Sequence, residues 1–118
     1  MAADISLELE RLDAPWGVRY FLWLPTPDGN PPHADQGWLG VRALADLERR
    51  GLKAYVHCKN GHGRAPTLVA AYLIHRGFTV AEAVAKITQR RPEIHLSASQ
   101  REALEQFAAV GRGEREAI

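Results

Sequence analysis

Residues 56–67 read VHCKNGHGRAPT, and the only cysteine of the chain, Cys58, lies among them. An apolar run leads into Cys58, and a glycine and basic stretch of five residues then separates it from Arg64. Gly61 and Gly63 allow backbone turns closed to other residues, so successive N–H groups of residues 59–63 can converge on one anion. Pro66 suits the first turn of a helix, where a missing N–H costs nothing. The positive end of that helix adds to the same cradle. A thiol in such a field gives up its proton more readily than a free one. An arginine offers a planar fork matched to two phosphoryl oxygens. A second reading of the isolated cysteine is a small buried residue ending a strand. The glycines, the arginine and the proline-started helix favour a nucleophile held beside a bound phosphate ester.

Around this stretch the pattern is strand, helix, strand, helix. Val18 to Leu24 is an apolar and aromatic run expected as a buried strand, and Ile5 to Leu9 alternates as a shorter one. PTPDGNPPHADQG, residues 25–37, holds four of the seven prolines and must be a surface loop. Trp38, Val41, Leu44, Ala45 and Leu47 recur at helical spacing, with Gly51 as the closing cap. LKAYVH, residues 52–57, enters as another strand. Pro66 to His75 is apolar nearly all round, as a central helix is, and Gly77 ends it. Thr79 with Glu82 and Ser99 with Glu102 match the capping-box pattern and predict two further helix starts. The order implies an α/β fold with a mostly parallel sheet flanked by helices, in one domain over 1–118. Such sheets place ligands beyond the carboxyl ends of their strands, where Cys58 and the proline-rich loop both lie.

HCKNGHGR resembles the His-Cys, five residues, Arg signature of the protein tyrosine phosphatase superfamily, specifically the compact dual-specificity phosphatases. PTLVAAYLIHRGFTVAEAVAKI and SASQREALEQF are similar to the same enzymes, so the resemblance runs over roughly residues 18–110. It implies a phosphomonoester hydrolase without cofactor. Cys58 would be the nucleophile that forms a phosphocysteine. Arg64 and the loop residues Lys59, Asn60, Gly61, His62 and Gly63 would bind the phosphoryl group, and His57 would promote ionisation of the thiol. It also implies a sheet shortened at the N-terminus, because these domains carry a further strand pair and helix. A shortened sheet exposes an edge, and a homodimer is the expectation.

Displacement of an alcohol or phenol needs a proton on the leaving oxygen. Asp28 and Asp35 are the carboxylates of the proline-rich loop. LPTPDGNPP is similar to the family's general-acid loop, which selects Asp28, while Asp35 suits the turn before the next helix. Ala65 departs from the family, which has Ser or Thr after the arginine to ease departure of the thiolate. Slow breakdown of the phosphoenzyme is therefore expected, and a module that binds phosphate without turnover is the alternative. Lys59 is similar to the lysine found there in phosphatases of phosphoinositides and phosphatidylglycerophosphate, which keeps lipid, inositol and glucan phosphates open beside phosphoproteins. Trp16, Tyr20 and Trp23 read as core or as an aromatic wall for substrate, with core favoured.

A net charge of +1, with 46% hydrophobic and 25% charged residues, gives no general attraction to nucleic acid. No apolar run is long enough to span a bilayer, and the acidic N-terminus does not read as a targeting peptide. A single cysteine suits a reducing compartment, so a cytoplasmic location is expected. The histidines show no ligand spacing joined to Cys58, so no metal site is expected.

Overall fold

The strand formed by Ala3–Glu8, β1, lies at the centre of a three-stranded parallel sheet in the computed structural model, which describes residues 2–10, 12, 15–59 and 62–117. Tyr20–Thr26 forms β2 on one side and Ala54–His57 forms β3 on the other, giving the order β2-β1-β3. Ser6 stands opposite both Trp23 and His57, so all three strands run in register toward one edge. The segments leaving that edge carry Glu10, Asp28 and Cys58.

The central place of β1 explains why its alternating sequence does not leave one face in water. Ala3, Ile5 and Leu7 enter the core, while Asp4 and Ser6 are also buried, on the other face. Asp4 is compensated by His57, whose Nε2 lies 2.8 Å from Asp4 Oδ1. The second strand falls two residues later than its apolar run predicts and takes in Pro25. Proline is tolerated because β2 is an edge strand, where an absent N–H removes no ladder bond. The expectation of an aromatic core is corrected, at Tyr20 and Trp23 by the same edge position and at Trp16 by its place in the segment before the strand. Trp16 is 99% exposed, and Tyr20 and Trp23 are also exposed, with Trp23 Nε1 donating to Glu8 O at 2.8 Å.

Four helices complete the fold: α1 (Ala34–Arg49), α2 (Arg64–His75), α3 (Val80–Arg90) and α4 (Ala98–Ala117). Helix α2 packs against the other described helices and against β1 and β3, as its apolar sequence requires. Its buried Leu68 meets Gly40 of α1 so closely that a Cβ on Gly40 would lie 2.8 Å from Leu68 Cδ1. Gly51 and Gly77 adopt positive φ, 72° and 116°, just beyond the ends of α1 and α2, as read from the sequence. Thr79 and Glu82 form the capping box of α3.

The start of α4 corrects one reading. Its box is Ser97 with Gln100 rather than Ser99 with Glu102: Gln100 N donates to Ser97 Oγ (3.2 Å) and Ser97 N to Gln100 Oε1 (2.9 Å). SASQ satisfies the same spacing as SQRE, and the buried glutamine decides between them.

Because Leu68 is 1% exposed at the junction of α1 and α2, Leu68→Ala is expected to cost about 2–5 kcal/mol in urea unfolding. A loss below about 1 kcal/mol would mean that the helix layer collapses readily around the gap.

Candidate active site

Cys58 follows β3 directly, and α2 begins at Arg64, so the strand end and the helix N-terminus meet at the cysteine. The Cys58 side chain is buried, and Ala65 N lies 3.4 Å from its sulfur as a donor. Thus an amide of the first turn of α2 faces the sulfur, the arrangement that favours a negative atom there. Asn60 and Gly61 lie outside the described residues. Lys59 and His62 are exposed, and the backbone of His62 is held where His95 N donates to its carbonyl at 2.9 Å. Gly63 has φ −136°, so it is not required for a left-handed turn. It is required for space: a Cβ there would stand 2.8 Å from both amide heteroatoms of Gln100.

Arg64 is the most constrained side chain of the site, with 1% of the residue exposed. Its Nη1 donates to Glu10 Oε1 at 2.7 Å and to Thr26 O at 2.9 Å, and Nη2 donates to Glu10 Oε2 at 3.0 Å. Guanidinium has five N–H groups. The two on Nη1 and one on Nη2 are engaged by these acceptors. The other Nη2 hydrogen and Nε–H form one parallel fork, and Nε is buried with no hydrogen-bond partner among the described residues. A buried donor without a protein acceptor can take one from a ligand or from water. The spacing fits two oxygens of a phosphoryl group.

Asp28 lies beside this fork, its Oδ1 3.7 Å from Arg64 Nε, with its side chain 66% exposed. Asp35 sits in the first turn of α1, 94% exposed, its N–H donating to Nδ1 of the cap residue His33 at 3.4 Å. The structure therefore brings Cys58, Arg64 and Asp28 together and leaves Asp35 at a helix start. His57 turns toward Asp4 and stacks on Tyr55, with ring centroids 4.9 Å apart. Beside the loop, a cavity of about 320 Å³ is lined by His57, Cys58, Lys59, Arg90 and Arg91 together with apolar residues of α2 and α3. The Thr67 hydroxyl donates to Gly63 O at 2.6 Å, a structural role in α2. Among the described residues, no group of three His, Cys, Asp or Glu side chains could hold a metal.

Glu10 is the site residue that the sequence left unread. It is 54 positions from Arg64, and only the parallel pairing of β1 with β3 brings the two together. Hydrogen bonds from Arg64 are the main reason its carboxyl is held down at about 2, with further help from a backbone hydrogen bond and the charge of Lys59. Glu10 in turn raises the affinity of Arg64 for its proton. A depressed carboxyl stabilises the fold fully above its ordinary value of 4.5 and loses that contribution as pH falls toward about 2. Glu10→Gln is therefore expected to lower the urea midpoint at pH 6, with the gap from wild type narrowing steadily below pH 4.5. A gap unchanged down to pH 2.5 would show that the charge on Glu10 contributes nothing.

Comparison with known proteins places this geometry in a family. The model for the dual specificity phosphatase catalytic domain matches residues 39–109. Over 61 residues the chain is 46% identical to the phosphatidylglycerophosphate phosphatase PTPMT2 of Arabidopsis thaliana, a match covering 51% of this chain and 27% of that protein. The chain spans less than half the length of this and the other curated relatives it matches. The crystal structure of PTPMT1 superimposes with a TM-score of 0.88 at 28% identity, covering 99% of this chain and 82% of that one. The structure of PTPMT1 in complex with PI(5)P gives 0.86 at 27% identity, covering 96% and 80%. With a matching family model over more than half its residues, a parallel sheet of the same fold and Cys58 and Arg64 at the strand end and helix start, the chain belongs to the dual specificity phosphatase catalytic domain family.

Proposed function

We propose that the chain hydrolyses phosphate monoesters through a phosphocysteine intermediate. The observation that carries this reading is the buried Arg64 fork, held from behind by Glu10, with Nε free of protein acceptors beside Asp28. In the first step the Cys58 thiolate attacks phosphorus as the ester P–O bond breaks, and Asp28 gives its proton to the departing oxygen. Arg64 Nε and Nη2 and the loop amides hold the equatorial oxygens, whose charge is spread in the transition state. In the second step water attacks phosphorus, its proton passes to the Asp28 carboxylate, and the thiolate leaves with inorganic phosphate as the product.

Ala65 shapes the second step. Its methyl group gives no hydroxyl to assist the departing sulfur, and the nearby Thr67 hydroxyl is committed to Gly63 O. The Ala65 N–H faces the sulfur at 3.4 Å. This favours a slow second step, and in its extreme form it favours the binding module over the enzyme.

A phospholipid or phosphoinositide monoester is the substrate we favour over a phosphoprotein. The support is the basic border of Lys59, Arg90 and Arg91 beside Cys58, suited to head groups with additional negative charge. The relatives named for phosphatidylglycerophosphate and the neighbour holding PI(5)P support the same choice. We also propose a cytoplasmic, reducing setting, which keeps a lone nucleophilic thiol active. A homodimer paired along the outer edge of β3 is supported by the exposure of Tyr55 on that strand. Light scattering at high protein concentration should give twice the chain mass, and a monomer mass throughout would remove the dimer.

Phosphate release from an aryl phosphate between pH 5 and 7, in reductant and chelator, tests the chemistry. Cys58→Ser should abolish turnover and retain phosphate binding, and Asp28→Asn should lose about 10²–10⁴-fold. Wild type should release one equivalent of phenol in a burst before a slower steady state, and Ala65→Ser should speed that steady state. Full turnover in Cys58→Ser would refute the mechanism. Phosphate binding by a wild type without turnover would establish the binding module instead. In a substrate panel, phosphatidylglycerophosphate should exceed a phosphotyrosine peptide in kcat/KM, and the reverse order would return the choice to phosphoproteins.

A further inference from the structure

The capping box of α4 reaches beyond its own helix. Ser97 Oγ, which receives Gln100 N–H, itself donates to Gly29 O at 2.7 Å, and Ser99 Oγ lies 3.2 Å from the same oxygen. Gln100 Oε1 closes the cap on Ser97 N, and its Nε2 donates to Asn30 O at 3.2 Å. The carbonyls of Gly29 and Asn30, immediately after Asp28, are thus both held by the first turn of α4. On its other side the Gln100 amide packs against Gly63, one residue before Arg64, leaving no room for a Cβ. Gln100 is 1% exposed, so this is a packed junction and not a surface contact. The same segment also holds the phosphate loop through His95 N and His62 O.

A helix cap needs only the reciprocal bonds between Ser97 and Gln100. Neither the donor from Gln100 Nε2 to the acid loop nor the two serine hydroxyls converging on one carbonyl is explained by capping. A buried glutamine with both amide ends engaged fixes the spacing of whatever it touches. Here it touches the loop of the acid and the loop of the nucleophile. An acid must stand within hydrogen-bond reach of the leaving oxygen, and a displacement of about 1 Å can cost ~10²-fold in rate.

We propose that Gln100, supported by Ser97 and Ser99, is a positioning residue that sets Asp28 at a fixed distance from the Cys58–Arg64 loop, an inference that rests on Asp28 being the general acid. Gln100 touches neither the phosphoryl group nor the reacting atoms. Its effect falls on protonation of the leaving group and not on the attack of the thiolate.

Gln100→Glu tests this directly. One carboxylate oxygen can still accept from Ser97 N, so the cap survives, while the other meets Asn30 O and the donor is lost. Values of kcat/KM would be compared on phenyl phosphate, whose leaving oxygen needs a proton, and 2,4-dinitrophenyl phosphate, whose leaving oxygen does not. This parameter reports the first chemical step and is untouched by slow breakdown of the intermediate. Gln100→Glu should lose roughly tenfold or more on phenyl phosphate and less than about twofold on the dinitrophenyl ester. Ser99→Ala, which leaves the cap intact, should shift the ratio in the same sense by less. Equal losses on both esters, as misfolding or simple charge repulsion would give, overturn the proposal. So does an unchanged ratio in both variants. Asp28→Asn separates the two levels: if it fails to discriminate between the esters, the acid assignment falls and the clamp with it. If it discriminates and Gln100→Glu does not, the clamp alone falls.

Discussion

The bidentate pair between Glu10 and Arg64 is the constraint around which the site is built. A guanidinium with 1% of its residue exposed must find acceptors, since a buried charge left unpaired is costly. Glu10 and the carbonyl of Thr26 occupy three of its five N–H groups and leave one edge, Nε with the second Nη2 hydrogen, beside Asp28. Had those acceptors been fewer, the side chain would be free to turn. Had they been more, no donor would remain for a phosphoryl oxygen. On the proposed function, the division of one side chain into a held half and an open half makes a structural ion pair serve as a preorganised anion site.

That division depends on the parallel sheet. Strands that run the same way end at the same edge, so β1, β2 and β3 each deliver one functional group there. The segment after β1 supplies Glu10, the loop after β2 supplies Asp28, and the turn after β3 supplies Cys58. Helix α2 then starts at Arg64 and aims its first-turn amides at the sulfur. The segment before and at the start of α4 locks the acid loop and the phosphate loop against each other. Glu10 stands two residues beyond β1, Asp28 two beyond β2 and Cys58 directly after β3, so each group sits close to a strand end.

Short-range spacing made much of this readable. Five residues between Cys58 and Arg64, and a proline in the first helical turn, constrain the loop whatever the rest of the chain does. The helix ends at Gly51 and Gly77 and the Thr79 box follow from local backbone chemistry and appear where the sequence puts them. Glu10 was not readable in this way. It sits in an acidic stretch, LELERL, that looks like an ordinary solvated end, and its partner lies far along the chain. A buried arginine asks for acceptors but does not name them; only the strand order does. The same reasoning covers Asp4, whose burial follows from the central place of β1. It also covers Tyr20 and Trp23, whose exposure follows from the edge place of β2. Gln100 was hidden by degeneracy, because two overlapping capping patterns fit the same six residues and burial chose between them.

The most direct test of the divided arginine is a crystal structure of the protein with orthovanadate, which forms a five-coordinate mimic of the transferring phosphoryl group. The account predicts vanadium bonded to Cys58 Sγ, two equatorial oxygens on Arg64 Nε and Nη2, and Glu10 still bound to Nη1 and Nη2 behind them. Vanadate held elsewhere, or bound at Cys58 with Glu10 displaced from Arg64, would contradict it.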